Sequence, residues 1–78
     1  MRDKIPREEI EKWLNKLKKE LETAEAINKK GKEFLKNINA YVYDCEHFLN
    51  NGDYVLSFES ITWAWSYWTI GKDLKLLE

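Results

Sequence analysis

Residues 60–70 read SITWAWSYWTI, which places three of the chain's four tryptophans and a tyrosine within eleven residues that carry no charge. An aromatic run of this kind is covered in the folded state, because leaving it in water forfeits the hydrophobic free energy of every ring. Extended back to Tyr54, the segment shows helical periodicity on two sides. One face gathers Tyr54, Val55, Phe58, Ile61, Trp65 and Trp68, and a second gathers Leu56, Trp63, Tyr67 and Ile70. One apolar face is enough to close a bundle. The second is a surplus, and an apolar surplus rimmed by polar residues marks a contact site. The spacing predicts a helix over 54–70, punctuated by Gly71. The tail 72–78 keeps Leu74, Leu76 and Leu77 and is expected to form a short helical extension folded back on the bundle.

Upstream, Asn50-Asn51-Gly52-Asp53 is the clearest turn signal in the chain: Asn and Gly tolerate positive φ, and Asp53 is placed to cap the helix that follows. Before it, Leu35, Ile38, Val42, Cys45 and Leu49 form a helical stripe, widened by Phe34, Tyr41 and Phe48. Near the start, Pro6 has the φ of a first helical turn, and Glu8, Glu9 and Glu11 follow it at the positive end of the helix dipole. Ile10, Leu14, Leu17, Leu21 and Ala24 then recur at helical steps, with Trp13 and Ile27 widening the stripe. Lys29-Lys30-Gly31 has the basic last turn and glycine of a carboxy-terminal cap, so a helix end is expected there. The alternative is one continuous helix to about Asn50, since the stripe keeps its phase across Gly31. Either way the expected architecture is all-α, an up-and-down three-helix bundle over residues 1–78 as one domain.

Composition narrows the function classes. A single cysteine, Cys45, excludes an internal disulfide and the multi-thiolate zinc cages. No stretch approaches the roughly 20 apolar residues of a membrane span, and MRDKIPREE lacks the apolar centre of a secretory signal, which points to a cytoplasmic protein. The net charge of -1 hides an asymmetry: residues 1–37 hold eleven Lys/Arg against eight Asp/Glu, residues 38–78 two against six. A basic amino-terminal half suits nucleic acid or an acidic surface. The charges interleave at helical spacing, however, as in Glu8 with Lys12, Lys16 with Glu20, Lys18 with Glu22 and Lys29 with Glu33, and such pairs describe a solvated face. Glutamine is absent and charge comes mainly from Lys and Glu, a pattern associated with heat-adapted proteins.

The segment YVYDCEHFLNNGDYVLSFESITWAWSYWTIG, Tyr41 to Gly71, resembles the core of a small archaeal family known as domain of unknown function number three-five-seven. The shared pattern is a tyrosine, then Asp44, Phe48, Gly52-Asp53 at the turn, and Phe58 and Ala64 on the last helix. The resemblance implies a left-handed three-helix up-and-down bundle and names no activity. Ser66 and Thr69 stand where the family pattern has a glycine and an aspartate, and Trp63 and Trp65 are bulkier than usual. Any role of that aspartate in relatives does not carry over to this chain.

Candidate chemistry is sparse. Asp44 and His47 have the i, i+3 spacing by which helices present two metal ligands, and Glu59 is the only charge between Tyr54 and Gly71. Helical geometry turns His47 towards the solvated side, so no metal site and no cofactor is expected. Cys45 lies in an apolar stripe and reads as a small core hydrophobe. No catalytic set emerges. The expectation is a non-catalytic interaction or self-association module whose contact residues are Leu56, Glu59, Trp63, Tyr67 and Ile70, partnered by a second copy or another protein chain. The alternative is a regulatory bundle that binds nucleic acid or nucleotide by stacking bases on Trp63 and Tyr67, disfavoured because the nearest cations are Lys72 and Lys75.

Overall fold

Helix α1, Arg7–Leu21, starts behind Pro6, whose φ of -63° and ψ of 138° make it the extended residue at the boundary, one place earlier than a first-turn proline. The computed structural model describes residues 5–78; residues 1–4, part of the stretch read for a leader, lie outside it. Ile10, Leu14 and Leu17 of α1 are buried, as their spacing predicts. The helix ends at Leu21, ten residues before Gly31, with Glu22 N–H donating to the Lys19 carbonyl at 3.2 Å.

Helix α2, Lys29–Asn50, contains Gly31 in its first turn, which overturns both the expected break at Gly31 and the continuous helix. Asn28 caps α2: its side-chain oxygen accepts from the Gly31 N–H at 2.9 Å. Gly31 is glycine for closeness rather than termination, since a Cβ there would overlap the backbone carbonyl of Leu76. Ile38, Val42, Cys45 and Leu49 are buried along one face of α2. Its other end is a Schellman turn: Asp53 N–H donates to the Phe48 carbonyl at 2.9 Å and Gly52 N–H to the Leu49 carbonyl at 3.1 Å. Gly52 takes the left-handed φ of 78° this motif requires.

Helix α3, Tyr54–Asp73, is capped by Asp53, whose carboxylate accepts from the Leu56 N–H at 3.2 Å. Its buried line is Ser57, Ser60, Ile61, Ala64, Trp68 and Gly71, so Gly71 lies inside the helix rather than after it. Of the predicted core face, Ile61 and Trp68 are buried on this line, Tyr54 and Trp65 are half-buried, and Val55 and Phe58 are 59% and 36% exposed. Small side chains at 57, 60, 64 and 71 let α3 lie close against α2, its main neighbour. The hydroxyl of Ser57 is satisfied within this seam by donating to the Cys45 carbonyl at 2.7 Å.

Of the tail, Lys72 and Asp73 continue α3, and residues 74–78 are not helical. Lys75 takes a left-handed φ of 59°, and a second Schellman turn stops α3, with Leu76 N–H on the Gly71 carbonyl at 2.8 Å and Lys75 N–H on the Lys72 carbonyl at 3.0 Å. The chain then folds back along the α1–α2 connection. Ile27 N–H donates to the Leu76 carbonyl at 2.9 Å, and Glu25 and Glu78 exchange two bonds of 2.7 and 2.9 Å around an isolated Ala26–Leu77 bridge. This buries Leu77 while Leu74 stays exposed. The result is an up-and-down bundle measuring 42 × 21 × 17 Å, and no helix is long and apolar enough to cross a membrane among the described residues.

Candidate interaction site

Three large apolar residues stand exposed at seven-residue intervals along α3: Leu56 at 39%, Trp63 at 53% and Ile70 at 48%. Seven residues are almost two turns, so they form one line on the helix, with Glu59 exposed beside it. Tyr67, the fifth residue predicted for this face, is only half-buried in the bundle. Its ring meets Phe34 edge-on at 5.4 Å and stacks with Tyr41 at 5.8 Å, while Trp63 lies over Tyr41 at 6.4 Å. The four rings fill the α2–α3 angle, with Trp63 as the outermost member.

A second apolar opening went unforeseen in the sequence. Between α1 and α3 runs a groove of ≈ 590 Å³ lined by Trp13, Phe58, Ile61, Trp65 and Ile70, with Thr62, Ser66 and Thr69. Trp13 and Trp65 meet edge-to-face at 5.9 Å, and the Trp65 indole N–H donates to the Trp13 carbonyl at 3.0 Å. The hydroxyls of Thr62 and Ser66 donate to carbonyls of their own helix, Phe58 and Thr62, leaving the groove apolar. The signal for this opening was present. Ser57, Ala64 and Gly71, also seven apart, mark the line of closest approach, and Phe58 and Trp65 are rotated from it.

The charged residues do not build a site of their own. Arg7 pairs with Glu11 at 2.9 Å, Lys18 reaches across to Glu46 of α2 at 2.6 Å, and Lys30 lies 3.7 Å from Glu33. These are different pairs from the ones the spacing suggested. Hydrogen bonds that the Arg7 guanidinium donates towards Tyr54 and Glu11 raise its pKa further, so it stays cationic. Asp44, His47 and Glu59 are all exposed; His47 contacts the Asn51 amide at 3.2 Å, and no three of His, Cys, Asp and Glu converge among the described residues. Cys45 is fully buried with its sulfur 3.3 Å from the Ser57 hydroxyl, and burial pushes its thiol pKa up. A thiol held neutral in this way is a poor nucleophile. Cation–ring contacts occur at Trp13, under Lys12 and Lys16, and at Trp68, under Lys72.

Residues 9–77 match the family model described as protein of unknown function, DUF357. The chain belongs to this family. A crystal structure of a DUF357 protein from Archaeoglobus fulgidus is similar over 92% of this chain and 90% of its own, with 35% sequence identity and a TM-score of 0.84. The match extends well before Tyr41, where the motif resemblance began, and takes in α1 and most of the tail. The three-helix architecture is thus a property of the DUF357 fold. No curated protein matches the chain.

Proposed function

We propose that this DUF357 protein is a non-catalytic cytoplasmic interaction module that self-associates through the outer line of α3. The observation that carries this reading is the exposed series Leu56, Trp63 and Ile70 on a helix whose only charge between Tyr54 and Gly71 is Glu59. A helix apolar nearly all round is an interior element in a stable assembly, yet α1 and α2 cover only one side of this one. A second chain completes its burial. Self-association is the simplest form, because a two-fold contact needs one self-complementary patch.

Exposed tryptophan anchors dominate such contacts, and surrounding aliphatic residues exclude water from them. Trp63 has the right setting: one side rests on Tyr41, and the other is open. Trp63→Glu introduces an unpaired charge there without touching the buried seam. Sedimentation equilibrium is expected to show a dimer for the unmodified chain and a monomer for Trp63→Glu, with unchanged helical circular dichroism. A wild-type monomer at high micromolar concentration sinks the reading. Titration with oligonucleotides at low and moderate salt tests the nucleic-acid alternative, since phosphate-driven binding weakens as salt rises.

A further inference from the structure

The α1–α3 groove is a preformed recess. Trp13 and Trp65 are fixed against each other by their edge-to-face contact at 5.9 Å and by the 3.0 Å bond from the Trp65 indole to the Trp13 carbonyl, so these walls do not fold inward to fill it. Its volume of ≈ 590 Å³ lies within the range of about 300 to 1,000 Å³ usual for small-molecule sites. No charged residue lines it. Its polar side chains are mostly engaged: the Trp13 indole donates to Glu9 at 3.0 Å, Trp65 to the Trp13 carbonyl, and Thr62 and Ser66 to their own helix at 2.8 and 2.9 Å. A body seated here has to be apolar, because a polar group would give up its water with almost nothing to replace it.

Charge at one wall specifies the rest of the occupant. The ammonium groups of Lys16 and Lys12 lie 5.0 and 5.8 Å from the centre of the Trp13 ring, and neither is within ion-pair distance of a carboxylate among the described residues. The acids nearby are otherwise placed: Glu9 is held by the Trp13 indole, and Glu20 and Asp73 line a neighbouring recess that also contains Lys72. We propose that the groove binds a small amphipathic anion, with its aliphatic or aromatic body along Phe58, Ile61 and Trp65 and its acidic head beside Lys12 and Lys16 at the Trp13 wall. Phe58 and Ile70, at the two ends of the groove, are twelve residues apart, about 18 Å at the helical rise, which leaves room for an acyl chain. The site is separate from the Leu56 and Trp63 contact and does not require self-association; Ile70 alone borders both.

Decanoate, kept below its micellar concentration, is the probe. Calorimetric titration into the full chain is expected to show a saturable site and a blue shift of tryptophan emission, with an affinity about fivefold above those of decan-1-ol and decyltrimethylammonium. Lys12→Gln combined with Lys16→Gln should bring decanoate down to the level of the alcohol and leave the alcohol itself unchanged, a split that loss of folding does not produce. Thr62→Phe, at an exposed position on the groove, should abolish binding of both with the helical signal and melt unaltered. If that variant does not fold, the lysine pair still decides. No saturable site, equal affinity for the three head groups, or decanoate binding untouched by the lysine substitutions overturns the proposal. Binding to phosphatidylglycerol vesicles without binding of free decanoate assigns the surface to a bilayer, and decanoate affinity that falls as protein concentration rises assigns it to a second copy; either overturns it as well. A chain that sediments as a monomer yet binds decanoate keeps this site and removes only self-association.

Discussion

Lys75 and Gly31 show how single backbone positions hold the carboxy-terminal end of this bundle. Lys75 ends α3 in the left-handed region, where a side chain costs roughly 1 to 2 kcal/mol. Lys75→Gly is therefore expected to raise stability by about 0.5 to 1 kcal/mol in urea denaturation, the unfolded-state entropy of glycine offsetting part of the relief. Gly31→Ala should do the reverse and cost about 1 to 3 kcal/mol, because its Cβ meets a backbone carbonyl of the tail that cannot rotate aside. Cys45 supplies a pH signature. Its folded pKa is raised by burial, while the unfolded thiol titrates near about 8.5. Above that value the folded state holds the proton and the unfolded state has lost it. The stabilisation is thus complete below about pH 8.5 and falls as pH rises towards the folded pKa. Urea midpoints at pH 7 and pH 10 should fall further for the wild type than for Cys45→Ala, which lacks the group; equal falls would show that the thiol is not desolvated.

Among the helices, α1 and α2 followed their apolar periodicity, and α3 did so only at Ile61 and Trp68 of the face expected to be buried. For α1 the stripe Ile10, Leu14 and Leu17 is both the most apolar and the most buried line. In α3 large apolar residues occur on nearly every side, so hydrophobicity alone cannot say which side faces inward. Size decides instead. Ser57, Ser60, Ala64 and Gly71 permit close approach to α2, and the bulky Phe58, Trp63 and Ile70 are displaced to the flanks. Leu17→Ala should cost about 2 to 5 kcal/mol as a cavity in the core. Phe58→Ala, at the rim of the open groove, should cost less than Leu17→Ala by at least about 1 kcal/mol, since part of its ring is already in water. Equal losses in thermal melts would return Phe58 to the core.

In the molecule as a whole, the last residues act as a clasp. Leu77 is buried beneath the α1–α2 connection, in contact range of where Gly71 lacks a side chain, and the Glu25–Glu78 bonds close the strap. Leu77→Ala should therefore destabilise the bundle by about 2 to 4 kcal/mol, whereas Leu74→Ala, three residues earlier and exposed, should stay within about 0.5 kcal/mol. Comparison of the two chemical denaturation midpoints checks this directly. If both are silent, the tail does not contribute to folding.

Three helices, the Asn50–Asp53 turn, the Asp53 cap and the core stripes of α1 and α2 were legible in the residues, because each depends on local spacing and backbone preference. The family pattern from Tyr41 to Gly71 was legible for the same reason. The end of α1 at Leu21 was not, since no glycine or proline stands there and the stop is enforced by pairing with a tail more than fifty residues away. Gly31 and Gly71 carry the appearance of helix stops, yet each is glycine because another segment passes close to it. The surplus line of Leu56, Trp63 and Ile70 was readable as an apolar pattern, whereas the α1–α3 groove has no apolar signature and only the small residues Ser57, Ala64 and Gly71 point to it. Its opening depends on which side of α3 fits nearest to α2, and that is settled by steric contact between helices distant in sequence.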